Sequence, residues 1–596
     1  MFFKKSKYKT PLILSLVFVL SLSLRTFGIN WDNGYHLHPD ERFLTMVAST
    51  TKLPTSIFEY FNTASSPLNP YNYKEFSFFV YGTFPIFLVK SIASVLNLES
   101  YEQIYLIGRV VSAIFDSINV ITLYFLSALI IKRPQRFLAS LIYCILVLPV
   151  QLSHFFTVDT FLTTFLLLTS LFLALSVHRR KFLYLPLAGL AYGLAMSTKI
   201  SAMLFLPFII VFHLYFVYKT NKITRLIIIT PLFFCLTFVV FRIFQPYAFT
   251  GLFSINNDFF SSLKTLNDIL NNRAAYYPPE VQYLSKTPVI YPLTTLSLWG
   301  FGLPFSLFTL IFSAHLVSRL NRRTPIFGVL NYPANFIILS LIGWTIFTIF
   351  YQGMQFTSVS RYFLPIYPIM SLIISFLISY HPRLIKLFRL IFFLQALYLV
   401  AFLGIYSRPH SRYQASLWIF NNIATGSNIA NEHWDDPLPL ETSDFRFSQY
   451  QNNNLPLYDP DSSQKWLNIR RILDKTDYII LSSNRLWGSI PPLPARYPIT
   501  SRYYQDLFDE KLGFKKLKSF RSYPGYNLPL LKSCYYLGPS NYPYQSSKNS
   551  WFAIDTTCEY PGIYLRDDTA EESFTVYDHQ QVIIFGRESN NFIEYN

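Results

Sequence analysis

The passage Trp31–Ser49, WDNGYHLHPDERFLTMVAS, sets two adjacent carboxylates, Asp40 and Glu41, directly after Pro39. Phe43, Leu44 and Val47 follow at helical spacing, so the pair stands at or near the start of an amphipathic helix. Capping alone explains most isolated Asp-Glu pairs, because the unpaired amides and the dipole of a helix start favour carboxylates. Other ionisable residues change the odds: Arg109, Lys199 and Arg361 as cations, Asp159 as a further acid, and His154 close to Asp159 in sequence. A carboxylate in such company can take a proton from a hydroxyl, while cations steady a departing anion. A plainer role stands beside each. Arg109 and Lys199 can snorkel to lipid headgroups, Asp159 can cap a helix starting at Thr160, and a lone histidine near a helix end is more often structural. Gln282 and Lys286 form a second rank, facing a substrate or ordering their own loop.

A membrane must position these residues. The chain has 596 residues, 52% hydrophobic and only 14% charged. Soluble domains average about a quarter charged residues, and a chain this apolar is not disordered. Spans are expected near 12–27, 104–131, 137–154, 160–177, 182–198, 201–218, 224–245, 293–316, 331–351, 362–380 and 388–406, about eleven crossings. The net charge of +17 gathers in alternate short loops: Lys4, Lys5, Lys7 and Lys9; Lys132, Arg133 and Arg136; Arg179, Arg180 and Lys181; Lys219, Lys222 and Arg225; Arg319, Arg322 and Arg323; Arg383, Lys386 and Arg389. Outside those loops the chain is close to neutral. The charge is therefore a topology signal and no nucleic-acid footprint.

The same rule treats residues 76–96 as a re-entrant or interfacial helix, since a crossing there would turn five basic loops outward. It also places the N-terminus in the cytoplasm and the C-terminal part outside. Met1–Leu24 lacks a clear small-residue cleavage site and is expected to stay as a signal anchor. Two outer loops result, Gly28 to about Tyr105 and Gln245–Pro292.

After about Ser407 the composition turns polar, Pro-punctuated and Tyr-rich, which divides the chain into a membrane domain, 1–406, and an extracytoplasmic α/β domain, 407–596. Helical patterns at Gln414–Asn422 and Gln464–Leu473 precede strand-like runs at Ser427–Ala430, Tyr478–Ser482 and Gln581–Phe585. Cys144 and Cys235 fall inside spans, whereas Cys534 and Cys558 stand where an oxidising compartment would permit a disulfide. No CxxC pair, Walker A loop or HExxH helix is present. Gly189 and Gly193 form a GxxxG pair suited to close helix packing. In the outer domain, Asn431–Asp436 (NEHWDD) reads first as a solvated turn and second as a metal or acceptor site.

An Asp-Glu pair in the first outer loop of a multispan protein resembles the GT-C glycosyltransferases. The likeness is best to the group of protein O-mannosyltransferases and bacterial aminoarabinose transferases (glycosyltransferase family 39), whose uncharacterised prokaryotic members carry the same His-Pro-Asp-Glu string. It extends through Gly108-Arg109, Ser153–Asp159 (SHFFTVD), Gly193–Lys199 (GLAMSTK), Tyr277–Pro304 and Ser360–Pro365 (SRYFLP). These motifs are short, and their order and side of the membrane carry the resemblance. It implies an all-α polytopic bundle of GT-C type with an outer α/β domain. It also implies inverting transfer of a sugar from a polyprenyl-phosphate donor to an acceptor hydroxyl of a protein, lipid or glycan. Asp40 would then be the general base and Glu41 would orient the acceptor or bind an ion. Asp159, with His154, would shape the site, and Arg109, Lys199 and Arg361 would hold the lipid phosphate. Some members of the class depend on a divalent metal ion and others do not, so the resemblance leaves a metal open.

Two rivals share the architecture. A transporter or flippase of lipid-linked sugars would place ionisable residues near the midplane and show internal repeats, and no clear repeat is present. An oligosaccharyltransferase-like enzyme would carry a WWDYG-like motif, which Trp434-Asp435-Asp436 matches only faintly.

Overall fold

A computed structural model describes residues 9–131, 135–220, 223–271, 278–320, 332–380, 382–441, 447–540 and 551–588. The chain divides into two compact units. The first holds most of the sequence up to Leu399; the second holds Val400 onward together with Asn30–His38 and the short segment before Pro288. The second unit is therefore assembled from three stretches of chain, whereas the sequence suggests one contiguous stretch. Eight of the nineteen residues of the basic loops, Lys4, Lys5, Lys7, Lys132, Arg133, Lys222, Arg322 and Arg323, lie outside the described residues.

The first unit is helical. Its leading elements are α1 (Lys9–Thr26), α2 (Pro39–Thr50), α3 (Thr83–Leu96), α4 (Tyr101–Ile130), the pair α5 (Arg136–Cys144) and α6 (Val147–Ser153), α7 (Asp159–Arg179) and α8 (Tyr184–Thr198). There follow α9 (Leu206–Thr220), α10 (Ile223–Phe244), α11 (Leu303–Leu320), α12 (Pro333–Met354), α13 (Tyr367–Tyr380) and α14 (Ile385–Leu403). Every expected span falls on helix. Among the described residues seven helices are long and apolar enough to cross a membrane, and eight if α5 with α6, bent by 58°, counts as one broken span. α1 and α11 are apolar over shorter stretches, and α8 is a helix of 15 residues. Large side chains such as Leu12, Ile228 and Phe393 are exposed, as a lipid solvent allows and water does not. The chain is a multi-pass membrane protein.

α3 is only 14 residues long, too short for a span, and agrees with the interfacial reading of 76–96. It closes on Asn97, whose left-handed conformation (φ 56°) ends the helix. The Gly189–Gly193 pair does what close packing requires: a Cβ at either position would overlap Phe233, Thr237 or Val240 of α10. The Thr237 hydroxyl also donates to the Gly189 carbonyl at 3.0 Å.

The second unit is a three-layer α/β domain. Its strands are β1 (Asn428–Glu432), β2 (Gln451–Leu455), β3 (Tyr478–Leu481), β4 (Phe514–Phe520), β5 (Gly525–Asn527), β6 (Cys534–Leu537), β7 (Phe552–Asp555), β8 (Gly562–Leu565) and β9 (Val582–Arg587). The main sheet runs β2-β1-β3-β9-β4, parallel through β3 and antiparallel around β9. Ile479, Leu481, Ile583 and Phe585 point to a core shared with Trp466, Trp487 and Tyr504, while Tyr478, Ile480, Val582 and Ile584 meet Ala415 and Ile419 on the opposite face. Burial on both faces is why β3 and β9 read as unbroken apolar runs. A second sheet, β5-β8-β6-β7, is tied by the Cys534–Cys558 disulfide.

Candidate functional site

Helix α2 begins at Pro39, whose fixed φ suits a first helical position, and its first turn carries Asp40 and Glu41. Leu44, Thr45, Val47 and Ala48 are buried with Glu41, so the apolar face fixes the helix and turns Glu41 inward. Glu41 is fully enclosed. Arg109 Nε lies 3.0 Å from both carboxylate oxygens, Nη2 also bonds Oε1, and the Phe156 amide donates to Oε2 at 2.7 Å. Arg109, equally enclosed, gives Nη1 to the Ile29 carbonyl at 2.8 Å and lies over the Tyr105 ring. The Gly108-Arg109 step has a steric reason. A Cβ at 108 would overlap the Phe156 ring, whose backbone completes the Glu41 cradle.

Asp40, one residue earlier, faces the other way and keeps 19% of its side-chain surface. Tyr81 donates to Oδ1 at 2.9 Å, and Arg361 pairs with Oδ2. Arg361 opens the 3₁₀ segment Ser360–Ile366, and its buried Nε has no hydrogen-bond partner among the described residues. Next to it, the Tyr362 ring lies 4.5 Å beneath Lys199 Nζ. Lys199 ends α8 and bonds Asp159 Oδ1 at 2.8 Å, Asp159 being the first residue of α7. Gly82 closes the circuit: its amide donates to Thr198 O at 3.0 Å, and any side chain there would overlap the Ser197–Thr198 backbone. Residues 81 and 82 thus tie Asp40 to the end of α8.

Asp40, Glu41, Arg109, Asp159, Lys199 and Arg361 are therefore drawn together in the first unit, in three ion pairs of differing exposure. Asp159 spends its carboxylate on Lys199 as well as opening its helix. His154, Gln282 and Lys286 are not members of these three ion pairs. His154 is buried, with ring nitrogens 2.7 Å from the Val150 carbonyl and 2.9 Å from that of Phe27, a local structural arrangement. Gln282 gives Nε2 to Pro279 O at 3.2 Å and so orders its own turn; Lys286 is exposed. Both belong to the second unit.

A metal fits the site poorly. Each carboxylate already faces a cation, and among the described residues no group of three or more His, Cys, Asp or Glu side chains could hold an ion. In the NEHWDD segment His433 and Trp434 form an exposed turn, while its acidic residues are engaged by neighbouring side chains and, among the described residues, form no metal cluster. Asp435 lies 3.4 Å from Arg412 and 3.2 Å from Arg485, and Arg485 reaches Glu572 at 2.6 Å. Glu432 is buried against the Tyr504 hydroxyl at 2.5 Å; burial pushes its carboxyl up to about 8, although that bond pulls the other way.

Sequence reading missed Tyr81 and Tyr362, which carry no signal beyond being aromatic. It also missed Asp116, which holds Arg25 at 2.5 Å in the bundle interior with the Tyr143 hydroxyl at the same distance. A carboxylate deep in a 30-residue apolar helix was the available signal.

Residues 102–248 match the family model described as dolichyl-phosphate-mannose-protein mannosyltransferase. That stretch holds Arg109, Phe156, Asp159 and Lys199. No curated protein matches in sequence. Among solved structures, the chain is similar to the oligosaccharyltransferase of Archaeoglobus fulgidus in its apo form, at 12% identity and a TM-score of 0.49, over 93% of this chain and 75% of that one. It is also similar to ArnT from Cupriavidus metallidurans in the apo state, at 16% identity and a TM-score of 0.42, over 67% of this chain and 64% of that one. The resemblance to GT-C glycosyltransferases read from the sequence is borne out, and with it the reading of a glycosyltransferase.

Proposed function

We propose that the protein transfers a sugar from a polyprenyl-phosphate donor to an acceptor hydroxyl at the extracytoplasmic face, with inversion, Asp40 acting as general base. The observation carrying this reading is the pairing of a partly exposed Asp40 with Arg361, whose buried Nε still has a proton to donate. The acceptor hydroxyl loses its proton to the Asp40 carboxylate as its oxygen bonds to the anomeric carbon. The bond from that carbon to the phosphate oxygen breaks, and the electron pair leaves with the polyprenyl phosphate. Arg361 and Lys199 neutralise the growing charge, and Tyr81 keeps Asp40 oriented. An apolar cavity of about 400 Å³ in the first unit, lined by Phe84, Phe87, Leu88 and Phe244, supports a lipid-bearing donor. Glu41 and Arg109 take a different part from the one the resemblance implies: enclosed by one another, they hold α2 in place and act as positioning residues.

The test is Asp40→Asn, with folding verified by melting temperature. General base catalysis is worth about 100-fold or more, so transfer from a labelled polyprenyl-phosphate sugar falls by at least that much, and Asp40→Glu retains part of it. Near-normal transfer by Asp40→Asn overturns the assignment.

A further inference from the structure

The second unit contains a cavity that the transfer reading does not use. It measures about 410 Å³, within the range of small-molecule sites, and opens between β4 and the small sheet β5-β8-β6-β7. Four tyrosines are among its lining residues. Tyr536 lies 5.8 Å from Tyr523 and 5.7 Å from Tyr564, centroid to centroid; Tyr523 and Tyr564 are buried, whereas Tyr536 and Tyr560 keep part of their surface. Those two offer apolar ring surface beside a phenolic hydroxyl, the combination that a pyranose ring with its C–H face and equatorial hydroxyls requires.

The charge on those walls is unbalanced. Five cations line the cavity against two carboxylates, Asp555 and Glu559. Asp555 is partly engaged, accepting from the Thr557 amide and hydroxyl at 2.8 Å. Arg408 is the telling residue. It is 8% exposed and held by the carbonyls of Gly404 (3.0 Å) and Tyr523 (2.5 Å), with its guanidinium 4.9 Å above the Tyr564 ring. No carboxylate pairs with it among the described residues, so a buried positive charge faces the cavity balanced only by dipoles and a ring. Burial lowers its pKa, as expected of a cation lacking a counter-ion. Arg521 and Arg566 lie over the same Tyr536 ring, each 5.9 Å from its centroid. The Cys534–Cys558 disulfide joins two lining residues and pins the loop carrying Glu559 and Tyr560 against β6.

We propose that this cavity is a binding site for an anionic saccharide. Its carboxylate or phosphate group meets Arg408, and its sugar ring lies against Tyr536 and Tyr560. The site shares no residue with the Asp40 circuit, and the proposal holds whether or not the chain is a transferase.

The experiment is calorimetric titration of the full-length protein in detergent with trigalacturonate, with glucose 6-phosphate and with neutral maltotriose. Saturable binding is expected for the two anionic probes, with maltotriose at least 10-fold weaker. Arg408→Gln weakens the anionic probes at least 10-fold while leaving transfer activity unchanged. Arg521→Gln, nearer the rim, weakens them about threefold and serves as the second variant should Arg408→Gln fail to fold. Absence of saturable binding by both anions, equal binding of maltotriose, or wild-type affinity in a folded Arg408→Gln or Arg521→Gln protein would overturn the proposal. Binding by free inorganic phosphate as tight as by glucose 6-phosphate would show that the sugar is not recognised, and overturns it equally.

Discussion

At the scale of single residues, the two neighbouring carboxylates have different lives. Asp40 keeps a share of its surface and shares Arg361 with whatever anion arrives, whereas Glu41 is sealed with Arg109 and the Phe156 amide. Removing one partner from a buried pair strands the other charge at a cost of about 3–5 kcal/mol. Arg109→Leu therefore melts far below wild type in detergent, and Glu41→Leu combined with Arg109→Leu recovers much of that loss. An Arg109→Leu protein of wild-type melting temperature would show instead that Arg109 serves bound phosphate. The sequence brought these six residues forward because ionisable groups at the edges of apolar spans are few. It could not separate Asp40 from Glu41, because which one turns inward depends on the packing of α2 and on a backbone amide 115 residues away.

Among the elements, legibility followed the strength of the periodic signal. The long apolar helices and the doubly buried β3 and β9 stand out in the sequence, while β2, with the sequence QNNNL, has a composition strands usually avoid. The small sheet has strands of three or four residues and relies on a disulfide, leaving little for pattern to detect. The end of β9 is anchored by a charge cluster without periodicity at all. His579, buried just before that strand, lies 2.5 Å from Asp578 and 2.8 Å from Asp567. Burial alone would push its pKa down, but Asp578 and Asp567 carry it up to about 10. A raised folded-state pKa means that the stabilisation is complete below the unfolded value near 6.5 and is lost as pH rises through about 10. Melting of the second unit, followed by near-UV circular dichroism, is expected to weaken between pH 7 and 10. His579→Gln should melt lower at neutral pH and show a shallower decline. An identical slope in the variant would place the pH dependence elsewhere.

The whole molecule comprises a membrane unit, whose ion-paired circuit lies where helices α2, α7 and α8 begin or end, and an α/β unit built from three pieces of chain. In the proposed function the N-terminus lies in the cytoplasm and the circuit on the opposite face, as the positive-inside rule expects. Composition revealed the membrane and the change of character near Ser407. It could not reveal that Asn30–His38 joins the second unit, because nine residues with only Trp31 and Leu37 as strongly apolar members carry no long-range pattern. The central claim, sugar transfer from a lipid phosphate, is tested most directly by reconstituting the purified protein in liposomes. A panel of radiolabelled polyprenyl-phosphate sugars is then added with membrane extract, and the molecule that gains label is identified. The account predicts that one donor loses its label to a hydroxyl-bearing acceptor. Label that stays on every donor while a donor crosses between leaflets would contradict it and make the protein a transporter.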